Sequence, residues 1–289
     1  YKNEKGQTIF GKCTDIERLG PAVENAFMSS SGAIYNFEIA ARAAAELGVD
    51  ADYAAKLTAA AKALRESLPH NGEMYLPFAG CKEKSFVSIT GLYPYTIFDK
   101  SEKKQVAALY DFMKNISKAG NMYPIGNKTC SWYLGILSSS LANIQDNTGS
   151  ETMLSEAARN AGKFGETWEI NEADLHRNPW FTTAAGSYVH ALNQMFVNPR
   201  ENGDIDIAVA APKKWKNYKF ELPSYGGAKI AGEVAGGKFA KLEYAAGKND
   251  SHKRTIVLPK YLVPAEKVSK DWTEDGEFYR IPTNGNFKL

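Results

Sequence analysis

Apolar positions recur at helical spacing over the first two thirds of the chain. Between Ala33 and Leu47, residues Ile34, Phe37, Ala41, Ala44 and Ala45 fall three or four apart, which is one stripe of a helix. The alanine density there favours helix and close packing. Residues 1–30 read as extended or loop chain, and Gly20-Pro21 breaks any helix within them. The Ser29–Ser31 run predicts a cap for a helix beginning near Gly32, and Gly48 predicts its stop. Asp50 is expected to cap a second helix over Ala51–Leu68, which Pro69 ends. Residues 70–84 read as a loop. Further helices are expected over Ser85–Phe98, Asp99–Ala119, Ser131–Gln145, Ser150–Phe164 and Thr183–Val197. Gly91 and Pro94 weaken the first of these, and residues 120–130 interrupt the series as a loop.

After Asn198 the period changes from that of a helix to that of a strand. Asp204–Val209 alternates polar and apolar positions, as do Lys219–Leu222, Ala228–Val234 and Phe239–Tyr244, and Thr255–Pro259 reads as another short strand. Gly226-Gly227 and Gly236-Gly237 supply turns. The expected organisation is therefore a helical region, 1–198, followed by a small β-rich region, 199–289. Successive helical hairpins suggest a toroid of helix pairs. A closed ring of six hairpins needs about a dozen helices of roughly 11–12 residues or more, and this chain holds about half of them. The expected fold is mainly α: the C-terminal part of an (α/α)6 toroid, then a small antiparallel β-region, with an upstream part of the same polypeptide ahead of Tyr1.

Composition narrows the function by exclusion. A net charge of +2 over 289 residues gives no basic footprint for nucleic acid. No stretch approaches the roughly 18 apolar residues of a membrane span. Cys13, Cys81 and Cys130 are odd in number and widely spaced, which argues against a disulfide scaffold and a zinc site and leaves buried thiols as the expectation. No GxSxG, phosphate loop or dinucleotide fingerprint is present, and the histidines show no metal spacing. No cofactor or metal is expected.

Candidate chemistry concentrates in Thr167–Gly186, a loop between two helical stretches that carries Glu169, Glu172, Asp174, His176, Arg177, Trp168 and Trp180. A second acidic loop lies near the N-terminus, with Asp15, Glu17, Arg18 and Glu24. Carboxylates beside aromatic rings suit a sugar-cleaving site, where acids move protons and rings stack on the apolar faces of pyranoses. A polar loop anchored by Trp residues, or by an Arg–carboxylate bridge, is the plainer alternative for each. A general acid needs its pKa raised by burial or by neighbouring carboxylates, and Asp15 and Glu24 are placed to do this to Glu17.

Together the two loops resemble those of the six-hairpin glycoside hydrolases, and Asn198–Tyr244 resembles the antiparallel β-sandwich that closes such proteins, which implies a small β-sandwich after the toroid. Asp15-Ile-Glu17-Arg18-Leu19-Gly20 resembles the Asp-Glu-Arg-Leu-Gly signature of the family 78 α-L-rhamnosidases, which implies Glu17 as general acid. Gly165-Glu-Thr-Trp168-Glu169 resembles that family's Thr-Thr-x-Trp-Glu, which implies Glu169 as base, and inversion as the outcome. Thr90-Gly-Leu-Tyr-Pro and Asn178-Pro-Trp-Phe resemble segments of the family 95 α-L-fucosidases. Thr183 stands near the position of the fucosidases' water-activating Asp, which shifts weight to Glu169 or Asp174. Pro21 and Val23-Glu24-Asn25 replace the rhamnosidases' Trp and Gly-Asp.

The expectation is thus a glycosidase acting on a carbohydrate substrate. Glu17 is its acid, with Glu24 in reserve. Glu169 is its base, with Glu172 or Asp174 in reserve. Asp15, Arg18, Trp132, Glu172, His176 and Trp180 are candidate sugar contacts. The implied location is periplasmic or secreted. A carbohydrate-binding or scaffold protein without chemistry, and a phosphorylase using Arg177 with Thr182-Thr183, remain as alternatives.

Overall fold

The computed structural model describes residues 1–16, 19–119, 128–172, 175–248 and 252–289. Its helices are α1 (Phe27–Leu47), α2 (Ala51–Glu66), α3 (Lys103–Ala119), α4 (Ser131–Asn143), α5 (Asn147–Arg159) and α6 (Thr182–Phe196). Its strands are β1 (Lys128–Thr129), β2 (Ile170–Glu172), β3 (Leu175–Arg177), β4 (Val197–Pro199), β5 (Asp204–Ile207), β6 (Tyr218–Pro223), β7 (Lys229–Ala235), β8 (Lys238–Ala245), β9 (Arg254–Pro259), β10 (Thr273–Asp275), β11 (Phe278–Thr283) and β12 (Phe287–Lys288). Two compact units result: residues 1–133 with 170–177, and residues 134–169 with 178–289. The change from helices to strands near residue 198 falls inside the second unit.

In the first unit, α1 and α2 form the expected hairpin. Gly48 closes α1 at φ +67°, its N–H reaching the carbonyls of Ala44 and Ala45, a conformation glycine adopts without a Cβ penalty. The N-terminal end differs from expectation. α1 begins at Phe27, so the three serines lie inside the helix, and Ser30 and Ser31 are buried. The first-turn N–H groups find their acceptor elsewhere, in Asp15. Asp50 precedes α2 in a left-handed conformation, and its side chain makes no capping bond. Phe27, Ile34, Ala61, Leu64, Leu68 and Tyr75 form the core of the hairpin and the loop behind it.

Ser85–Phe98 is not an α-helix. Its first turn is a 3-10 helix over Phe86–Ile89, capped by the Ser85 hydroxyl and wholly buried. Gly91 sits 2.5 Å, at the position a Cβ would take, from the Gln105 side chain. Phe86–Leu92 is buried throughout, and a fully buried run shows no periodicity to tell helix from other structure. The loop expected over 167–186 also contains regular structure: β2 and β3 form a hairpin, and β1 pairs with β2.

In the second unit, α5 and α6 pack around Ala142, Leu154, Ala191 and Met195. Ser138 and Ser150 exchange hydroxyl-to-carbonyl bonds of 2.9 Å each way, tying α4 to α5. α4 meets α6 through Gly135, where an added Cβ would lie 2.5 Å from Ser187 Oγ and 2.8 Å from the Ser187 carbonyl carbon. Because backbone cannot swing aside, Gly135→Ala is expected to destabilise this unit by about 1–3 kcal/mol. Urea denaturation would show a lower midpoint at unchanged slope, and an unchanged midpoint would mean the helices are not held at this separation.

The β-rich part forms two sheets, ordered β10-β11-β9-β5-β4 and β12-β8-β7-β6. Ile205, Ile207, Ile256, Leu258 and Ile281 from the first share one core with Ile230, Val234, Phe239, Leu242 and Tyr244 from the second. Not every pairing is antiparallel. β5 and β9 run parallel, since the chain passes through β6, β7 and β8 of the other sheet between them and returns in the same sense. The polar alternation of β5 is also covered rather than solvated. Asp204 and Asp206 are both buried, against Arg280 and Arg200 respectively.

Candidate functional site

On either side of residues 170–177, the 167–186 loop closes as a backbone clasp. Phe181 N–H donates to Thr167 O at 2.9 Å, and the Thr167 hydroxyl donates to Phe181 O at 3.1 Å. Two residues nearer the hairpin, Glu169 N–H donates to Asn178 O at 3.3 Å. The Asn178 side-chain amide closes the same rung by donating to Glu169 Oε2. Among the described residues no other group is bonded to this half-buried carboxylate.

Trp180 lies between these rungs, and two features single it out. Its backbone is left-handed, φ +60°, as is that of Asn178 at φ +51°. Its side chain is 64% exposed. A bulky residue in that region of φ/ψ space costs on the order of 1–3 kcal/mol and persists where the surroundings hold it. Here the held conformation leaves a large indole exposed to water, two residues along the chain from the Asn178 amide that holds Glu169. Hydrophobic burial would do the opposite.

The remaining sequence-predicted residues are placed as follows. Asp15 is buried, and its carboxylate accepts Ser29 N–H at 2.7 Å, Ser29 O–H at 2.6 Å and Met28 N–H at 3.3 Å. It supplies the acceptor that the first turn of α1 lacks locally. Glu24 is exposed just after the Cys13–Val23 bridge. The Trp132 ring packs edge-on to Phe86, centroids 5.3 Å apart, and against Tyr133. Its indole N–H is buried without an acceptor among the described residues, so the ring belongs to an aromatic cluster rather than to an open platform. Glu172 is in β2, and His176 and Arg177 are in β3. Glu17, Arg18 and Asp174 lie outside the described residues. The structure thus places Glu169 and Trp180 on one backbone clasp, and keeps Asp15 and Trp132 at structural work in the first unit. Asn178, which the sequence offers only as the first residue of the fucosidase-like Asn-Pro-Trp-Phe segment and with no role of its own, is a further contributor; its local signal is an Asn-Pro step, which favours a turn.

The first unit also carries a cavity of about 410 Å³ between the 71–85 loop and α3. A Lys84 Nζ–Asp111 Oδ2 ion pair of 2.5 Å lies in its wall. Tyr75 forms part of the lining. Burial, with a smaller contribution from Glu102 and against Arg65, pushes its phenol up to about 12, so it stays a proton donor. Burial likewise raises the Cys81 thiol. Ile16 and Leu19, which flank the Glu17-Arg18 pair, line a much smaller cavity that shares Lys84, Ser85 and Phe112 with the larger one. No group of three or more His, Cys, Asp or Glu side chains is arranged to hold a metal ion among the described residues. No described helix is long and apolar enough to cross a membrane.

A helical part followed by a two-sheet β part is a fold shared with solved α-L-rhamnosidase structures. Two of them illustrate the likeness. One is the Streptomyces avermitilis α-L-rhamnosidase complexed with L-rhamnose, with TM-score 0.51 and 11% identity over 97% of this chain and 28% of that one. The other is the α-L-rhamnosidase from Dictyoglumus thermophilum, with TM-score 0.51 and 16% identity over 88% of this chain and 30% of that one. The chain therefore spans less than a third of either rhamnosidase. At these identities the likeness is one of fold. No family model matches the chain, and no curated protein matches it in sequence.

Proposed function

We propose that the chain is part of a glycoside hydrolase of the six-hairpin kind, cleaving a glycosidic bond by carboxylate acid/base catalysis with inversion. The observation that carries this reading is the Glu169–Asn178 rung on one clasp with the exposed Trp180. The Asn178 amide fixes one oxygen of Glu169 and so aims the other. An aimed carboxylate is what a general base requires to orient and deprotonate water. An exposed indole on the same clasp offers a face for the C–H side of a pyranose. Glu17 is the proposed acid, protonating the departing oxygen, with Glu24 in reserve. Glu172 or Asp174 is the reserve base, and His176 and Arg177 are proposed hydroxyl contacts. The helices belong to an (α/α)6 toroid completed by other parts of the polypeptide, and the enzyme works in the periplasm or outside the cell.

Release of reducing sugar from a panel of aryl α- and β-glycosides and plant oligosaccharides tests the reading. Turnover in buffer free of phosphate supports hydrolysis. Turnover that requires phosphate selects a phosphorylase, and binding with no release across the panel selects a non-catalytic carbohydrate binder.

A further inference from the structure

We infer that Asn71 is a self-modifying residue: the backbone nitrogen of Gly72 converts its side-chain amide to a carboxylate, with the His70 imidazole as base. The chain contains three Asn-Gly steps, at 71–72, 202–203 and 284–285. A glycine nitrogen attacks the preceding Asn amide with no side chain in the way, and its free backbone lets the five-membered imide ring close. What separates the three steps is what each glycine N–H touches, and how each Asn amide is held.

At the first step both reacting groups are engaged. Gly72 N–H donates to His70 Nδ1 at 3.0 Å, within reach of proton transfer to a general base. Asn71 Oδ1 accepts Glu73 N–H at 3.0 Å and Met74 N–H at 2.9 Å. Two backbone donors on one carbonyl oxygen polarise it and stabilise the negative charge that it takes on under attack. His70, Asn71 and Gly72 are all exposed, so water reaches them. The other steps lack the base. Gly203 N–H donates to the Arg200 carbonyl at 2.9 Å, and a peptide oxygen is too weak a base to take the proton. The Asn202 amide is also tied at both atoms to Asp204. Gly285 N–H donates to the Thr283 hydroxyl at 3.2 Å, which is no base either.

The Gly72 nitrogen gives its proton to Nδ1 and forms a bond to Asn71 Cγ. The bond from Cγ to the side-chain nitrogen breaks, and that nitrogen leaves with the proton as ammonia. One water then opens the imide at either carbonyl, to aspartate or to isoaspartate, and nothing is oxidised or reduced. Asn71 is in the wall of the cavity between the 71–85 loop and α3, whose charged groups Lys82, Glu83, Lys84 and Asp111 are two of each sign. Conversion therefore turns a balanced wall into one of net negative charge. The isoaspartyl product also adds one main-chain atom inside the turn that Asn71 N–H closes on the Met74 carbonyl at 3.1 Å. The site draws on the first unit alone and stands whether or not the chain cleaves a glycosidic bond.

Incubation of the full chain in neutral buffer, followed by peptide mass spectrometry, tests this, since each Asn-Gly step falls in its own tryptic peptide. In the folded chain Asn71 is expected to convert about tenfold or more faster than Asn202 or Asn284, the low end of what a general base contributes. In urea the three rates are expected to converge. His70→Gln keeps an acceptor at that position and removes the base, and is expected to abolish the lead of Asn71. Circular dichroism confirms the fold of the variant, and the folded and unfolded wild-type rates decide the matter even if it unfolds. The inference is overturned if folded Asn71 converts no faster than the other two, if its lead is the same in urea, or if the lead survives in folded His70→Gln.

Discussion

Glu169→Gln is expected to lower sugar release about 10²–10⁴-fold, the usual contribution of a general base, in the polypeptide that shows glycosidase activity. The substitution is close to isosteric. The glutamine amide oxygen can still accept the Asn178 amide that now bonds Glu169 Oε2, so the clasp at 167–181 and the exposed Trp180 should persist. What is lost is the negative charge and the ability to take a proton from water. The fall should therefore appear in kcat, with KM nearly unchanged, because the residue acts on the transition state rather than on substrate binding. Trp180→Ala should show the opposite split. It removes a stacking surface of a side chain that is 64% exposed, so KM should rise several-fold while kcat changes little. Wild-type kcat in Glu169→Gln would remove this carboxylate from the mechanism. A Trp180→Ala variant with unchanged KM would return the left-handed indole to the status of unexplained strain.

How much of this is legible in the sequence depends on whether the signal is local. Gly48 marks the end of α1 because a single residue without a Cβ suffices to take φ +67°. The β6–β7–β8 meander is legible because one face of these strands is buried and the turns between them carry glycine pairs. Features made by residues distant in sequence are not. The acceptor for the start of α1 is Asp15, twelve positions before the helix, and nothing in the local pattern separates that work from the sugar-binding work expected of it. The parallel β5–β9 pair is a matter of topology, which alternation does not encode. The Lys84–Asp111 pair joins a loop to a helix across 27 positions, and no spacing rule connects them. Within the candidate site, Glu169 and Trp180 stand out by residue type. The rung that ties Glu169 to Asn178 follows from the hairpin, whose strands are too short to show a period of their own.

Arg200→Met is expected to cost about 3–5 kcal/mol of stability, the range for leaving one member of a buried ion pair without its partner. Asp206 is 3% exposed and takes Arg200 Nε and Nη2 at 2.9 Å. The same guanidinium donates to the Asn143 backbone carbonyl at 2.6 Å and to Asn143 Oδ1 at 3.1 Å, where Gln194 and Asn198 also donate. One side chain therefore serves the end of α4 and β5 together. A loss of that size is a large part of the roughly 5–15 kcal/mol that holds a domain folded. Its pH dependence has a definite sign. Burial pushes the Asp206 carboxyl above its ordinary value of 3.8, and Arg200 opposes the rise. Without Arg200 the folded-state value climbs further, so the folded variant holds a proton that the unfolded chain releases. The deficit should then be smallest at about pH 4 and below, and should grow as pH rises through the raised value. Arg200→Met combined with Asp206→Leu removes both charges and should recover much of the loss, since an apolar replacement of a buried pair is often close to neutral. Urea denaturation at pH 4.5 and pH 7.5 separates these cases. If the single variant is equally destabilised at both pH values, or if the double variant is no better than the single one, the penalty comes from the lost Asn143 bonds and packing rather than from a stranded carboxylate.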